Sequence, residues 1–236
     1  MTDDEIRTDA IVFAKRNKMR IARELTDPVK FLPEERPISV FMAGSPGAGK
    51  TEFSKSLIEV IERARHCNVV RIDADEIRAQ IPGYVGGNAY LFQGAASLIL
   101  EKVHDLVLRQ KQTFILDGTL AKYEKAVQNI NRSLSLERQV FVFFIYQKPE
   151  IAWQFTEARE ATEGRNIPKD AFIEQFLGAR STIERIRNIF GGRIVVFLVR
   201  KNFEKNTVED IVEIGQKSFD DYIGERYTKE KLEKLL

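Results

Sequence analysis

The sequence predicts an α/β fold built on a parallel sheet, and three observations carry that reading. Short apolar runs of strand length recur at residues 38–43, 69–72, 113–116, 139–146 and 193–199. Stretches of helical periodicity fill the intervals. The first three runs end in clusters of glycine or carboxylate residues, and ligands of parallel sheets bind at the carboxyl ends of strands. Strands alternating with helices imply a sheet of about five strands, covered on both faces.

Residues 5–25 place Ile6, Ala10, Phe13, Ala14, Ile21 and Leu25 on one side of a helix, with lysines and arginines crowding the other. Such a basic helix could be an arm for nucleic acid, but its regular apolar stripe predicts docking onto the domain. Asp27-Pro28, Pro33 and Pro37 break it. A helix and connector (1–36) therefore precede one domain (37–236). The run 38–43 leads straight into a glycine-rich turn and a helix starting near Lys50. The run 69–72 is followed by Asp73-Ala74-Asp75-Glu76 at a helix start, and the run 113–116 by Asp117-Gly118-Thr119. Helical patterns cover 88–109, 122–134, 151–160, 169–190 and 207–222, and the tail 229–236 is a short amphipathic helix.

A chain of 236 residues, 43% hydrophobic, can bury a core without staples. Lysine and arginine total 37 against 35 acidic residues, so the net charge of +2 leaves no footprint for wrapping nucleic acid. One cysteine, Cys67, excludes an internal disulfide framework and a multi-cysteine zinc site. His66 and His104 are too few for a histidine-rich metal site and read as helix-surface residues. The acidic start, Met1-Thr2-Asp3-Asp4-Glu5, lacks the apolar run of a signal peptide, and eighteen consecutive apolar residues occur nowhere. The expectation is a soluble cytoplasmic protein with no membrane partner.

Gly44-Ser45-Pro46-Gly47-Ala48-Gly49-Lys50-Thr51 fits G-x-x-x-x-G-K-[ST], with a strand before it and a helix after it. Glycines let the backbone curl so that successive N–H groups point at phosphate oxygens, and the helix adds the positive end of its dipole. Lys50 would reach the β- and γ-phosphates of ATP, and Thr51 would offer its hydroxyl to Mg²⁺. The motif specifies a nucleoside triphosphate and leaves the reaction open. A switch GTPase needs an Asn-Lys-x-Asp motif after a later strand, but the fourth run ends in Tyr146-Gln147-Lys148-Pro149. Modest size and an arginine-containing segment near residue 160 favour a small-molecule kinase.

Of the two carboxylates after the second run, Asp75 suits a base that accepts the acceptor's hydroxyl proton and Asp73 a helix cap or a support behind the site, with the reverse assignment as the alternative. Asp117 can hold a water on Mg²⁺ or grip a sugar, or Asp117-Gly118 can be a simple turn. Arg159 and Arg165 stand six apart in a polar segment, and Gly164 and Pro168 break the helix around Arg165. The two arginines read either as a lid that neutralises the transferring phosphoryl group or as a solvated helix end. Arg71, Arg78, Arg180 and Arg187 read as surface or sheet-edge charges.

The runs Phe41-Met42-Ala43 with the P-loop, Arg71-Ile72-Asp73-Ala74-Asp75-Glu76-Ile77-Arg78, and Ile115-Leu116-Asp117-Gly118-Thr119 together resemble the zeta toxins. These are P-loop kinases of bacterial toxin–antitoxin systems, and the resemblance runs from about residue 38 to 199. It implies ATP-dependent phosphorylation of the sugar 3′-hydroxyl of UDP-N-acetylglucosamine and a small antitoxin protein as partner. It assigns ATP·Mg²⁺ to Lys50 and Thr51, the base to Asp75, the acceptor to Asp75, Asp117 and Thr119, and the transferring phosphate to Arg159 and Arg165. Asp117 stands where members often carry glutamate. Two further readings remain open: a kinase of another small alcohol (sugar, nucleoside or antibiotic), and a slow ATP-dependent regulatory module.

Overall fold

A computed structural model describes residues 1–164, 167–202, 207–215 and 219–236. Helix α1 (Asp3–Leu25) opens with a capping box. The Thr2 hydroxyl accepts the Glu5 N–H at 3.3 Å, and the Glu5 carboxylate accepts the Thr2 N–H at 2.7 Å. Its buried Ala10, Ala14, Ile21 and Ala22 join the main core, where small side chains permit close helix packing. The docking expected of this helix is what the structure shows.

The domain proper runs β1 (Ile38–Ala43), α2 (Lys50–Arg65), β2 (Val70–Asp73), α3 (Ala74–Arg78), α4 (Ala89–Arg109), β3 (Phe114–Asp117), α5 (Tyr123–Leu134) and β4 (Gln139–Tyr146). It continues with α6 (Pro149–Glu163), α7 (Lys169–Phe190), β5 (Val195–Asn202), β6 (Thr207–Glu213), α8 (Phe219–Ile223) and α9 (Lys229–Leu235). The sheet order is β2-β3-β1-β4-β5-β6. The first five strands are mutually parallel, and β6 pairs antiparallel with β5. The α/β class is thus as read from the sequence, with six strands rather than about five.

All six residues of β1 are buried, as a central parallel strand requires. Alternation sends Ile38, Val40 and Met42 to the α2 side, with Phe53 and Ile61. Phe41 and Ala43 enter the opposite cluster, which includes residues of α1, α4, α5 and α7. The chain leaves β1 for β2 and β3 on one side and for β4 and β5 on the other. Such a switch opens a crevice at the carboxyl end of β1.

The sixth strand corrects the sequence reading. Residues 207–222 read as one helix, because Val208, Ile211 and Val212 fall at helical spacing. Instead 207–213 form β6, and a short helix, α8, follows. The β-branched content of Thr207, Val208, Ile211 and Val212 is the better signal, and Glu209, Asp210 and Glu213 are the charges of an edge strand. His104 is a second correction. It is buried, packed edge-on between the rings of Phe41 and Phe114, and burial pushes its pKa down to about 3. Helix α4 is covered by both α1 and the sheet, so a polar residue on its second apolar face has no route to water. Among the described residues no helix is long and apolar enough to cross a membrane.

Candidate active site

The glycine-rich turn sits at the end of β1, clasped by the β4–α6 segment. Gly44 has φ +134°, and a Cβ there would strike the Ile145 carbonyl oxygen. Gly47 has φ +71°, and a Cβ would collide with the Ala152 carbonyl oxygen and approach Thr156 Oγ1 to 2.8 Å. Only glycine fits either position. The Gly44 N–H donates to the Thr119 carbonyl at 3.2 Å, tying the turn to the end of β3. Helix α2 begins at Lys50 without a side-chain cap. Lys50 Nζ folds back to donate to the Ser45 carbonyl at 2.6 Å.

A cleft of about 1020 Å³ opens over this turn, and Lys50, Thr51, Asp75, Asp117, Thr119 and Arg159 all line it. Past Asp117 and Thr119 it continues between α4, α5 and α7, so it exceeds what a triphosphate alone would fill. Arg165 lies outside the described residues. Uncapped amides at the start of α2, an ammonium and a threonine hydroxyl form a donor set that suits a polyphosphate with a bound cation.

The carboxylates are held by arginines. Asp73 caps α3, accepting the Asp75 N–H at 2.7 Å, so its side chain faces its own backbone. Asp75 is 40% exposed at the cleft, where its Oδ1 accepts from Arg78 Nη1 at 2.7 Å. Arg78 is buried, donates also to Gln93 Oε1 at 2.9 Å, and has the Tyr84 ring beside it. The register of β2 on β3 places Asp117 opposite Asp73. Arg71 spans the pair: Nη2 lies 2.7 Å from Asp117 Oδ2 and also bonds Asp73, while Nη1 bonds Glu76. Ser54 Oγ donates to the same Asp117 oxygen at 2.7 Å. Burial pushes the Asp73 carboxyl above its ordinary range, with the Arg71 charge pulling it back and Asp75 and Asp117 adding to the rise. Burial works against the charge on Arg71, but its hydrogen bond to Asp117 and the surrounding carboxylates outweigh it and raise the pKa.

The family model for zeta toxin matches residues 22–211. The chain belongs to the zeta toxin family. No curated protein sequence matches it. Among solved structures, a chain from the PezAT chromosomal toxin–antitoxin system of Streptococcus pneumoniae superposes with a TM-score of 0.67 at 16% identity, covering 94% of this chain and 91% of that one. A chain of the AvrRxo1-ORF1:AvrRxo1-ORF2 complex with sulphate ions gives 0.61 at 13% identity, over 93% of this chain and 71% of that one. The same complex solved with ATP gives 0.58 at 13% identity, over 90% and 65%. At such identities the likeness is one of fold.

Within this zeta toxin family site, Arg71 and Arg78 are not the surface or sheet-edge charges that their sequence context suggests. A signal for Arg71 is present: residues i and i+2 of a strand share a face, so Arg71 and Asp73 have to lie side by side. The pairing with Asp117 depends on strand order, which no local pattern carries. Arg71→Ala is expected to strand two carboxylates that are almost wholly buried, lowering stability by about 3–5 kcal/mol. Denaturant unfolding of the two proteins measures the loss. A difference under about 1 kcal/mol would mean the cluster is solvated and weak.

Proposed function

We propose that the chain is an ATP-dependent kinase that phosphorylates the 3′-hydroxyl of the amino sugar in UDP-N-acetylglucosamine. The observation that carries this is one continuous cleft that holds the phosphate-binding turn at one end and Asp75 beside it, and then continues into an arm large enough for an acceptor. Lys50 and the amides of the turn bind the ATP phosphates. Thr51 would hold Mg²⁺ through its hydroxyl, and the bound ion would supply positive charge to the phosphates. Asp75, aimed by Arg78, accepts the acceptor's hydroxyl proton as the acceptor oxygen attacks the γ-phosphorus in line and the bond to the β–γ bridging oxygen breaks, releasing ADP. The guanidinium of Arg159, on the same cleft wall, would neutralise the equatorial oxygens of the phosphoryl group, and Arg165 would assist it. Asp117 and Thr119 bind at the boundary between nucleotide and acceptor. Residues 37–236 form the kinase domain, and residues 1–36 form a helix and connector docked on it.

The relatives from the PezAT system and the AvrRxo1-ORF1:ORF2 complex support a small antitoxin protein as partner, one that would restrain a toxin directed at a cell-wall precursor. Purified protein, ATP and a panel of acceptors test the reaction. Transfer to UDP-N-acetylglucosamine supports the proposal; transfer to a different sugar, nucleoside or antibiotic instead replaces the acceptor. Water-only hydrolysis across the whole panel would leave a regulatory module. In a bacterium with peptidoglycan, expression without the antitoxin should slow growth or lyse cells, and Lys50→Ala should relieve this. Harmless accumulation of the wild-type chain would speak against a toxin.

A further inference from the structure

Beyond the residues of the motif, the end of β5 brings another cation to the phosphate-binding turn. Phe197, Val199 and Lys201 share one face of β5 by alternation. Phe197 stacks on Phe143, and Val199 packs with Ala48 and Phe53 in the cluster under α2. Lys201 continues that face past the hydrophobic layer, at the level of the turn. Its neighbour Arg200 points away and is paired with Asp210 of β6. Arg200 pairs in register with Asp210 and Lys201 with Val208, so Glu209 is an extra residue on β6. A bulge of this kind sharpens the local twist and re-aims side chains beside active sites.

The consequence is specific. A Cβ placed on Gly49 would stand 3.1 Å from Lys201 Cε and 3.4 Å from its Nζ. Gly49, with φ +83°, is the N-cap of α2, one residue before Lys50. Lys201 lines the same cleft as Lys50 and Thr51. The Glu52 carboxylate borders the same spot, 3.7 Å from a Gly49 Cβ, so Lys201 also offsets its charge beside the turn. An ammonium held against the uncapped start of a helix, where the dipole already favours anions, has an anion as its natural ligand.

We propose that Lys201 is a nucleotide-binding residue that contacts the ATP polyphosphate chain beside Gly49. The proposal rests on the ATP-binding reading above. It assigns no step of the transfer itself to Lys201, which lies beside Gly49 of the phosphate-binding turn.

The test is equilibrium binding of ATP and, separately, of inorganic triphosphate to the full chain and to Lys201→Gln, Lys201→Arg and Lys55→Gln. Lys55 is exposed on α2 and does not border the cleft. Lys201→Gln should weaken both ligands by roughly five- to tenfold, the scale of one charge-assisted phosphate contact. Lys201→Arg should restore most of that affinity, and Lys55→Gln should change neither ligand. Weakened ATP with unchanged triphosphate would place Lys201 on the base or ribose and overturn the assignment. Unchanged binding of both by Lys201→Gln would overturn it too. Failure of the wild-type chain to bind ATP would instead sink the reading on which it rests, and the inference with it.

Discussion

Lys50→Ala is expected to remove ATP-dependent transfer while leaving a folded protein. The side chain supplies a full positive charge where negative charge gathers on the β- and γ-phosphates, in a site partly shielded from water. Removing one such preorganised group costs about a thousandfold or more in rate. Its structural contribution is small by comparison. Lys50 is half-buried at the first position of α2, and its ammonium donates to the Ser45 carbonyl at 2.6 Å. A charge-assisted hydrogen bond of this kind is worth about 1.5–3 kcal/mol net, less where water competes, so the melting temperature should fall by only a few degrees. Turnover by purified Lys50→Ala within tenfold of the wild type would show that the turn does not hold the reacting phosphates. Loss of turnover together with loss of folding would be uninformative about charge, so circular dichroism accompanies the assay. Lys50→Arg then separates the two contributions: it keeps the charge but cannot place it at one point, and it should recover little activity.

Much of this arrangement is legible in the chain itself, and the reasons differ from element to element. The phosphate turn is legible because its signal is local: glycine at the positions that must adopt φ values closed to other residues, then a lysine opening a helix. The parallel strands are legible because both faces are buried, which writes continuous apolar runs into the chain. Asp73 as a cap is legible for the same local reason, since the N–H it accepts lies two residues away. Strand β6 is not legible, because an edge strand with several charges and no buried residue spaces its apolar positions as a surface helix would over seven residues. His104 escapes because helical periodicity describes one buried face, whereas α4 has two. The arginines escape for a third reason. The carboxylate partners of Arg71 are 2, 5 and 46 residues away, and the last of these becomes a neighbour only when β2 and β3 pair. Lys201 is separated from the turn it approaches by most of the domain. Contacts set by strand order are the part of a site that no short motif encodes.

Asp75→Asn tests the division of labour between the two adjacent carboxylates. The substitution preserves size and leaves a carbonyl oxygen able to accept from Arg78, so α3 and its cap should be undisturbed. It removes the capacity to take a proton. The rate of transfer should fall by roughly 10²–10⁴, the range for loss of a general base, while affinity for a nonhydrolysable ATP analogue stays within about twofold. Asp73→Asn should behave in the opposite way. Asp73 carries the N-terminal cap of α3 and one side of the Arg71 cluster, so its replacement weakens a buried ion pair and shows in unfolding more than in turnover. The two variants therefore exchange phenotypes: one stable and slow, the other less stable and, below its unfolding temperature, still turning over. A dead Asp73→Asn enzyme beside an active Asp75→Asn one would reverse the roles. If both variants retain full rate, the proton goes elsewhere, and Asp117 is the next carboxylate on the cleft wall. Its Oδ2 is already engaged by Ser54 and Arg71, which leaves Oδ1 as the atom that would have to serve.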